Sequence, residues 1–195
     1  MDARNHGDSP HTEEMSYDLM AGDLARLVHN LNLPAVSLAG HSMGGRTVMM
    51  AAVKEVVNIE KLVVLDISPV NQSFDVTSSN EWNMEHFFHC LKVCFKLPQD
   101  SGVIMVSLQA VKFDQSLPIS QARKEADRQL AVRIQDAGLR AWLLMNMKQD
   151  PVTKHIGWKI NLDGIHSAFY NNIARFPSVS GTFNKWGSNI LDIIS

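Results

Sequence analysis

Residues 34–53, PAVSLAGHSMGGRTVMMAAV, decide the fold. A short apolar run over 35–39 is typical of a buried β-strand, and the segment 45–57 has the spacing of an apolar helix. Between them stands GHSMG, residues 40–44, which is a G-x-S-x-G sequence. That motif, placed between a strand and a helix, predicts a serine at a sharp strand-to-helix turn.

The turn explains why these residue types stand together. We expect Ser42 to be held in a strained conformation, with its hydroxyl lifted clear of the sheet at the N-terminus of the following helix. Gly40 and Gly44 are predicted because the neighbouring backbone leaves room for little more than hydrogen. There the N–H of Met43 and the helix dipole favour an oxyanion. We predict Ser42 as nucleophile, Met43 N–H as oxyanion donor and His41 as a residue that shapes the turn. The alternative is a glycine-rich turn that only packs tightly.

The flanking sequence predicts a parallel sheet. Residues 61–67, KLVVLDI, form a second apolar strand. A strand, a helix and a strand in close succession, with strands apolar on both faces, predict a parallel βαβ unit. Before it, a helix is expected from Tyr17 to Leu31, with Ser16 as its N-cap. The fold class is therefore α/β.

A serine nucleophile needs a base, and the base needs an orienting carboxylate. In enzymes that carry their nucleophile on this type of turn, the three catalytic residues follow along the chain in the order Ser, acid, His. Asp66 closes the second strand, and the carboxyl ends of adjacent parallel strands lie side by side, which favours it. Asp163 comes much later and is also an acceptable acid. The structural alternatives are that Asp66 caps its loop and that Asp163 caps a helix beginning near Gly164.

No histidine stands where the base is expected. Four of the eight precede or adjoin the serine, two lie in a predicted cap helix, and two follow without a Gly-His loop after a late strand. In that order they are His6, His11, His29 and His41, then His86 and His89, then His155 and His166. We read His166, close to Asp163, as a surface or packing side chain.

Composition limits the classes of function. The chain has 195 residues, 45% hydrophobic and 19% charged, with a formal net charge of −2, so we expect neither nucleic acid nor an anionic surface as partner. No apolar run approaches the roughly 20 residues of a transmembrane helix. We predict no cofactor and no metal. The residues His86, His89, Cys90 and Cys94 match no usual zinc spacing.

The character of the chain changes after residue 69. Helical segments follow from about residue 81 to 147, and they are read either as a cap over the site or as helices on the flank of the sheet. The plainest helix covers 120–136, with one face formed by Ala122, Ala126, Leu130 and Ile134. We predict a partial core with the serine turn over 1–69, a helical cap insertion over 70–150, and a remnant of the C-terminal core with a divergent end over 151–195.

Several stretches together resemble the α/β-hydrolase superfamily and, within it, a group of bacterial and animal esterases. The similarity extends to about Phe183. The stretches are DARNHGDSPH (2–11), MSYDLMAGDL (15–24), GHSMGGRT (40–47), LDISPV (65–70), RKEADRQL (123–130), IQD (134–136) and KINLDGI (159–165).

The resemblance implies a serine hydrolase that cleaves carboxylic esters, with a small acyl ester or an acylglycerol lipid as substrate. Ser42 matches the nucleophile of that group. Asp163 matches the acid assigned in the animal members, and Asp66 matches the acid favoured in the bacterial ones. The animal members are mitochondrial, so the resemblance implies that location. No targeting segment is visible, and the expectation is cytoplasmic if the start is genuine.

The chain also departs from that pattern. It lacks the early strands and the His-Gly loop that supplies a second oxyanion donor, and residues 181–195 replace the loop that carries the catalytic histidine. We therefore expect an interior piece of a hydrolase, inactive as given because the histidine is missing. The alternative is a non-catalytic remnant of the fold that binds a lipid or a protein.

Overall fold

The structure is a computed structural model, and it describes residues 1–65, 67, 101–174, 176–177 and 191–194, with backbone alone for 101, 170 and 191–194. The chain divides into two compact units. The helical unit comprises Met1–Thr12 and Leu97–His166, and the sheet unit comprises Glu13–Lys96 and Ser167–Ser195. The predicted domain boundaries at residues 69 and 150 stay a prediction.

The sheet unit contains the predicted strand–helix–strand order. Its elements are α1 (Tyr17–Asn30), β1 (Val36–His41), α2 (Met43–Val53), β2 (Ile59–Leu65), a π-helical turn (Phe169–Ile173) and β5 (Leu191–Ile194). β1 pairs in parallel with β2, with His41 opposite Leu65, and β2 pairs in parallel with β5. The described strands therefore lie in the order β1-β2-β5, and the predicted parallel βαβ unit is confirmed.

The first helix begins as its sequence predicts. The Oγ of Ser16 accepts a hydrogen bond from the N–H of Leu19 at 3.2 Å, which satisfies one of the free donors of the first turn. The buried side chains of α1 are Tyr17, Met20, Ala21 and Val28. Leu27 and Leu31, which share its helical spacing, are exposed. The apolar spacing therefore marked the helix correctly without identifying which residues are buried.

The helix after the serine starts earlier and ends earlier than predicted. It begins at Met43 rather than at residue 45, because the chain enters helical geometry directly after Ser42. It ends at Val53, since Glu55 has a left-handed backbone with φ 50° that cannot continue a right-handed helix. β2 ends at Leu65, so Asp66 lies outside the described residues.

The prediction that β1 is buried on both faces is wrong. Ser37 and Ala39 are exposed, and Val36 and Leu38 are half-buried. Parallel strands become buried when other elements cover both faces of their sheet. Because the exposed residues alternate with the half-buried ones, one face of β1 reaches solvent and the other is partly covered; among the described residues β1 pairs with β2 alone.

The helical unit is built around its own core. Its elements are α3 (Ser101–Ala110), α4 (Ile119–Ala131), α5 (Ala137–Leu144), β3 (Met147–Gln149), β4 (Ile156–Trp158) and the start of α6 (Leu162–Ala168). β3 and β4 form an antiparallel pair that was not predicted. The predicted helix over 120–136 stops at Ala131, but its apolar residues are buried as expected. The core contains Leu108, Ala122, Ala126, Leu130, Ile134, Leu139, Leu143, Leu144, Met147, Ile156 and Leu162.

Candidate active site

The backbone turns sharply at Ser42. β1 ends at His41, α2 begins at Met43, and Ser42 between them has φ 52° and ψ −117°. Residues other than glycine rarely adopt such a conformation, which costs about 1–3 kcal/mol and persists where the surroundings impose it. The N–H of Ser42 donates to the carbonyl of Leu65 at 3.0 Å. Ser42 is exposed, and its side chain does not cap α2, so the hydroxyl stands at the surface of the sheet unit.

The tight approach of the backbone involves Gly40 as predicted, but not Gly44. A Cβ on Gly40 would lie 2.3 Å from the carbonyl oxygen of Gly44 and 2.7 Å from the nitrogen of Gly45. A Cβ on Gly44 would meet no described atom within 4 Å, so the predicted steric need at this position is wrong. The crowded helical position is Gly45, where a Cβ would lie 2.5 Å from Cγ2 of Ile67.

The start of α2 supplies a hydrogen-bond donor beside the hydroxyl. Met43 is the first residue of the helix, and the N–H groups of a first turn have no partner within their own helix. Together with the dipole of α2, this N–H makes the site attractive to negative charge. Met43 is half-buried.

The two candidate acids differ in what can be said of them. Asp66 lies outside the described residues. Asp163 is exposed in the first turn of α6, and its Oδ1 accepts a hydrogen bond from Nε2 of Gln109 at 2.8 Å. Ser42 belongs to the sheet unit and Asp163 to the helical unit, so the site residues grouped by the described geometry are 40–43.

Asp163 does not cap its helix, so that structural alternative is wrong. Instead Oδ1 of Asn161 accepts from the N–H of Gly164 at 3.1 Å. The Nδ2 of Asn161 donates to Oδ1 of Asn5 at 3.0 Å and to the carbonyl of Thr12 at 3.1 Å. This network fixes the start of α6, and therefore the backbone of Asp163, within the helical unit. An asparagine before an apolar helical run was the signal that could have identified the cap.

The described histidines are dispersed. A ring nitrogen of His6 lies 3.0 Å from the carbonyl of Arg4, and one of His11 lies 3.1 Å from that of Lys159. His29, His41 and His155 are exposed, and His166 is half-buried. His86, His89, Cys90 and Cys94 lie outside the described residues. Within the rest of the chain that the structure describes, no three metal-binding side chains form a cluster.

A functional candidate that the sequence analysis missed is Arg46. It is buried one turn into α2, and its guanidinium donates to the carbonyls of Ile173 and Ala174. The hydroxyl of Tyr17 donates to the same carbonyl of Ile173. Burial raises the pKa of the Tyr17 phenol, while the hydrogen bond and positive charge of Arg46 act to lower it. A single charged residue in the largely apolar segment GRTVMMAAV was the available signal.

Comparison with known proteins supports the fold that the sequence resemblance implies. Residues 1–89 match the family described as alpha/beta hydrolase fold. The chain is 37% identical to the sn-1-specific diacylglycerol lipase ABHD11 of Mus musculus over 177 residues, which is 91% of this chain and 49% of the mouse protein. It is 49% identical to a putative esterase/lipase of Haemophilus influenzae over 70 residues, 36% of this chain and 24% of that protein.

A solved structure described as a marine microorganism esterase superposes with a TM-score of 0.67 at 30% identity, covering 92% of this chain and 59% of that one. The chain thus spans about half the length of the ABHD11 proteins that it matches. No helix within the described ranges is long and apolar enough to cross a membrane. The family match over residues 1–89, the similarity to lipases and esterases and the fold of this neighbour agree: the chain has the α/β-hydrolase fold.

Proposed function

We propose that this sequence carries the nucleophile of a serine ester hydrolase. The Oγ of Ser42 attacks the carbonyl carbon of a carboxylic ester and passes its proton to a histidine base. The negative charge that develops on the carbonyl oxygen is stabilised by the N–H of Met43. The alcohol then leaves with a proton from the base, and water hydrolyses the acyl-serine in the reverse sequence.

One observation carries this proposal: the exposed Ser42 at φ 52°, directly before the first residue of α2. A strained backbone at an exposed polar side chain is typical of functional sites. The crowding at Gly40 supports it, because a side chain there would displace the backbone of Gly44. A turn that only packs tightly would not require an exposed hydroxyl.

The rest of the triad is proposed as follows. Asp66 is the preferred acid, since it comes directly after the residue that pairs with His41. Asp163 is the alternative, as the resemblance of residues 159–165 to the animal esterases implies. Neither His155 nor His166 is proposed as the base, so this 195-residue chain turns over esters poorly. Loss of a triad histidine costs on the order of 10⁶ in kcat.

The substrate class follows from the relatives. Those from Mus musculus and Danio rerio are named diacylglycerol lipases, so we propose an acyl ester, with acylglycerols as the first class to assay.

We also propose a mitochondrial location for a protein carrying this sequence. Fractionation of cells expressing it from its own gene tests that location, and recovery in the cytosol alone contradicts it.

A serine-directed fluorophosphonate tests the nucleophile. A longer protein that contains this sequence should be labelled, and its Ser42→Ala variant should not. The variant Ser37→Ala is the matched control, since Ser37 is also exposed and lies on the same strand before the turn. Equal labelling of the Ser42→Ala variant removes the proposal. Thermal stabilisation by an acylglycerol without labelling or hydrolysis favours the alternative, a lipid-binding remnant of the fold.

A further inference from the structure

Arg46 is bonded to the serine through its backbone. Its N–H donates to the carbonyl oxygen of Ser42 at 3.1 Å, the first hydrogen bond of α2. Its side chain leaves the helix toward the interior, and the residue is 7% exposed. Any displacement of Arg46 therefore distorts the first turn of the helix.

The other end of the side chain binds a distant part of the sequence. The guanidinium donates to the carbonyl of Ala174 at 3.2 Å and more weakly to that of Ile173 at 3.5 Å. The hydroxyl of Tyr17 donates to the same Ile173 carbonyl at 2.7 Å, and its ring centroid lies 5.5 Å from that of Phe176. The starts of α1 and α2 thus meet at the end of the π-helical turn.

These bonds satisfy groups that would otherwise be costly to bury. A buried guanidinium needs several acceptors, and the last carbonyls of a helical segment have no partner inside that segment. Charge-assisted hydrogen bonds from an arginine are stronger than neutral ones and are fixed in direction by its planar geometry. The contact therefore fixes the position of α2 as well as stabilising the fold.

We propose that Arg46 is a positioning residue for Ser42, an inference that rests on the proposed function. By tying the first turn of α2 to the carbonyls of Ile173 and Ala174, it imposes the strained backbone of Ser42. The Oγ of Ser42 and the N–H of Met43 thereby keep their relative orientation. Residues 169–174 take part in the site through this contact, although they carry none of its reacting groups.

Hydrogen exchange of this chain, read by mass spectrometry, tests the positioning. In Arg46→Met, exchange over residues 42–47 should rise at least about tenfold, with β2 peptides over 59–65 changed much less, because opening is local. Arg46→Lys, which keeps the charge and one donor, should give a smaller rise. Tyr17→Phe loses one bond to the Ile173 carbonyl and should act in the same direction.

The matched control is Arg140 in the helical unit. It also donates to two backbone carbonyls, those of Ile134 at 2.9 Å and Gln135 at 3.0 Å. Arg140→Met should speed exchange over 137–144 and leave 42–47 unchanged. If Arg46→Met does not fold, hydrogen exchange of the same peptides in Arg46→Lys decides the question. Exchange over 42–47 within twofold of the wild type, or an equal rise throughout the sheet unit, overturns the proposal.

Labelling separates this inference from the proposed function. In the longer protein, Arg46→Lys should slow the reaction of Ser42 with a fluorophosphonate about tenfold, in parallel with the faster local exchange. An unchanged labelling rate despite faster exchange means that Arg46 only supports the fold, and it overturns the inference. No labelling of the wild type removes the proposed function, while the exchange experiment still decides whether Arg46 holds the turn.

Discussion

Replacing the first and the last glycine of the G-x-S-x-G motif should have opposite effects on stability. In Gly40→Ala, the new Cβ would lie 2.3 Å from the carbonyl oxygen and 2.4 Å from the carbonyl carbon of Gly44. Overpacking of an interior costs about 1–3 kcal/mol and sometimes more. Because both atoms here belong to the backbone and cannot rotate away, we expect a loss of about 3 kcal/mol or more.

In Gly44→Ala, the Cβ would meet no described atom within 4 Å. Alanine is a better helix former than glycine by about 0.5–1 kcal/mol, so we expect a gain of that size. Gly45→Ala should fall between, since its nearest contact, Cγ2 of Ile67 at 2.5 Å, ends a side chain that can adjust. The free energy of unfolding of each variant is measured by urea titration followed by circular dichroism.

The comparison between the two variants decides the reasoning. A difference of about 4 kcal/mol corresponds to roughly 8–16 °C in Tm for a chain of this length. A Gly44→Ala variant destabilised as much as Gly40→Ala would refute the assignment of the close approach to Gly40. Gly40→Ala within about 1 kcal/mol of the wild type would refute it equally, because that is less than the cost of overpacking.

Further predictions concern a titrating phenol and two helix caps. Since burial raises the pKa of Tyr17, folded protein keeps the phenol protonated above pH 10, where an unfolded tyrosine, pKa about 10, loses its proton. The stability that the buried, protonated phenol of Tyr17 contributes is fully present below about pH 10 and is lost as the pH rises toward the folded pKa. Urea titrations across pH 8–11 should therefore show a steeper alkaline loss for wild type than for Tyr17→Phe, and parallel curves contradict it. Asn161→Ala should lower the free energy of unfolding by about 1–2 kcal/mol in the same titrations. Asn161→Asp keeps the oxygen that caps the helix and should lower it less. Equal losses in the two variants would contradict the role of the cap. Ser16→Ala should lower the free energy of unfolding by about 1 kcal/mol. An unchanged Tm would contradict the capping bond from the N–H of Leu19 to the Oγ of Ser16.

Local signals sufficed for the architecture around the serine. The period of the apolar residues changes across 40–44, and Ser16 stands directly before the first helix, so the strand, the turn and the helix starts follow from adjacent residues. The exposure of Ser42 also follows locally, because the turn places it at the end of a strand. The first strand and the starts of α1 and α2 thus follow from nearby residues, whereas the bonds that hold the turn at Ser42 come from Leu65, Ile173 and Ala174.

Features that depend on distant residues were not predictable. Whether Gly44 or Gly45 is crowded is decided by Ile67, two residues beyond the end of β2. The burial of Arg46 is decided by carbonyls 127 and 128 residues later in the chain. The exposure of β1 depends on which elements cover the faces of its sheet. A strand of three residues such as β3 is too short to show a period.

The bond between Asn5 and Asn161 has a consequence for synthesis in the cell. The two side chains are separated by 156 residues, and Asn5 is fully buried with φ 66°. At about 5–20 residues per second, a ribosome takes on the order of 10–30 s to make the intervening chain. Throughout that interval the loop that holds Asn5 has its local bonds to Pro10 and Thr12 but lacks the side chain of Asn161. Proteases and chaperones at the tunnel exit can therefore meet the Asn5 loop before the side chain that closes over it has been made.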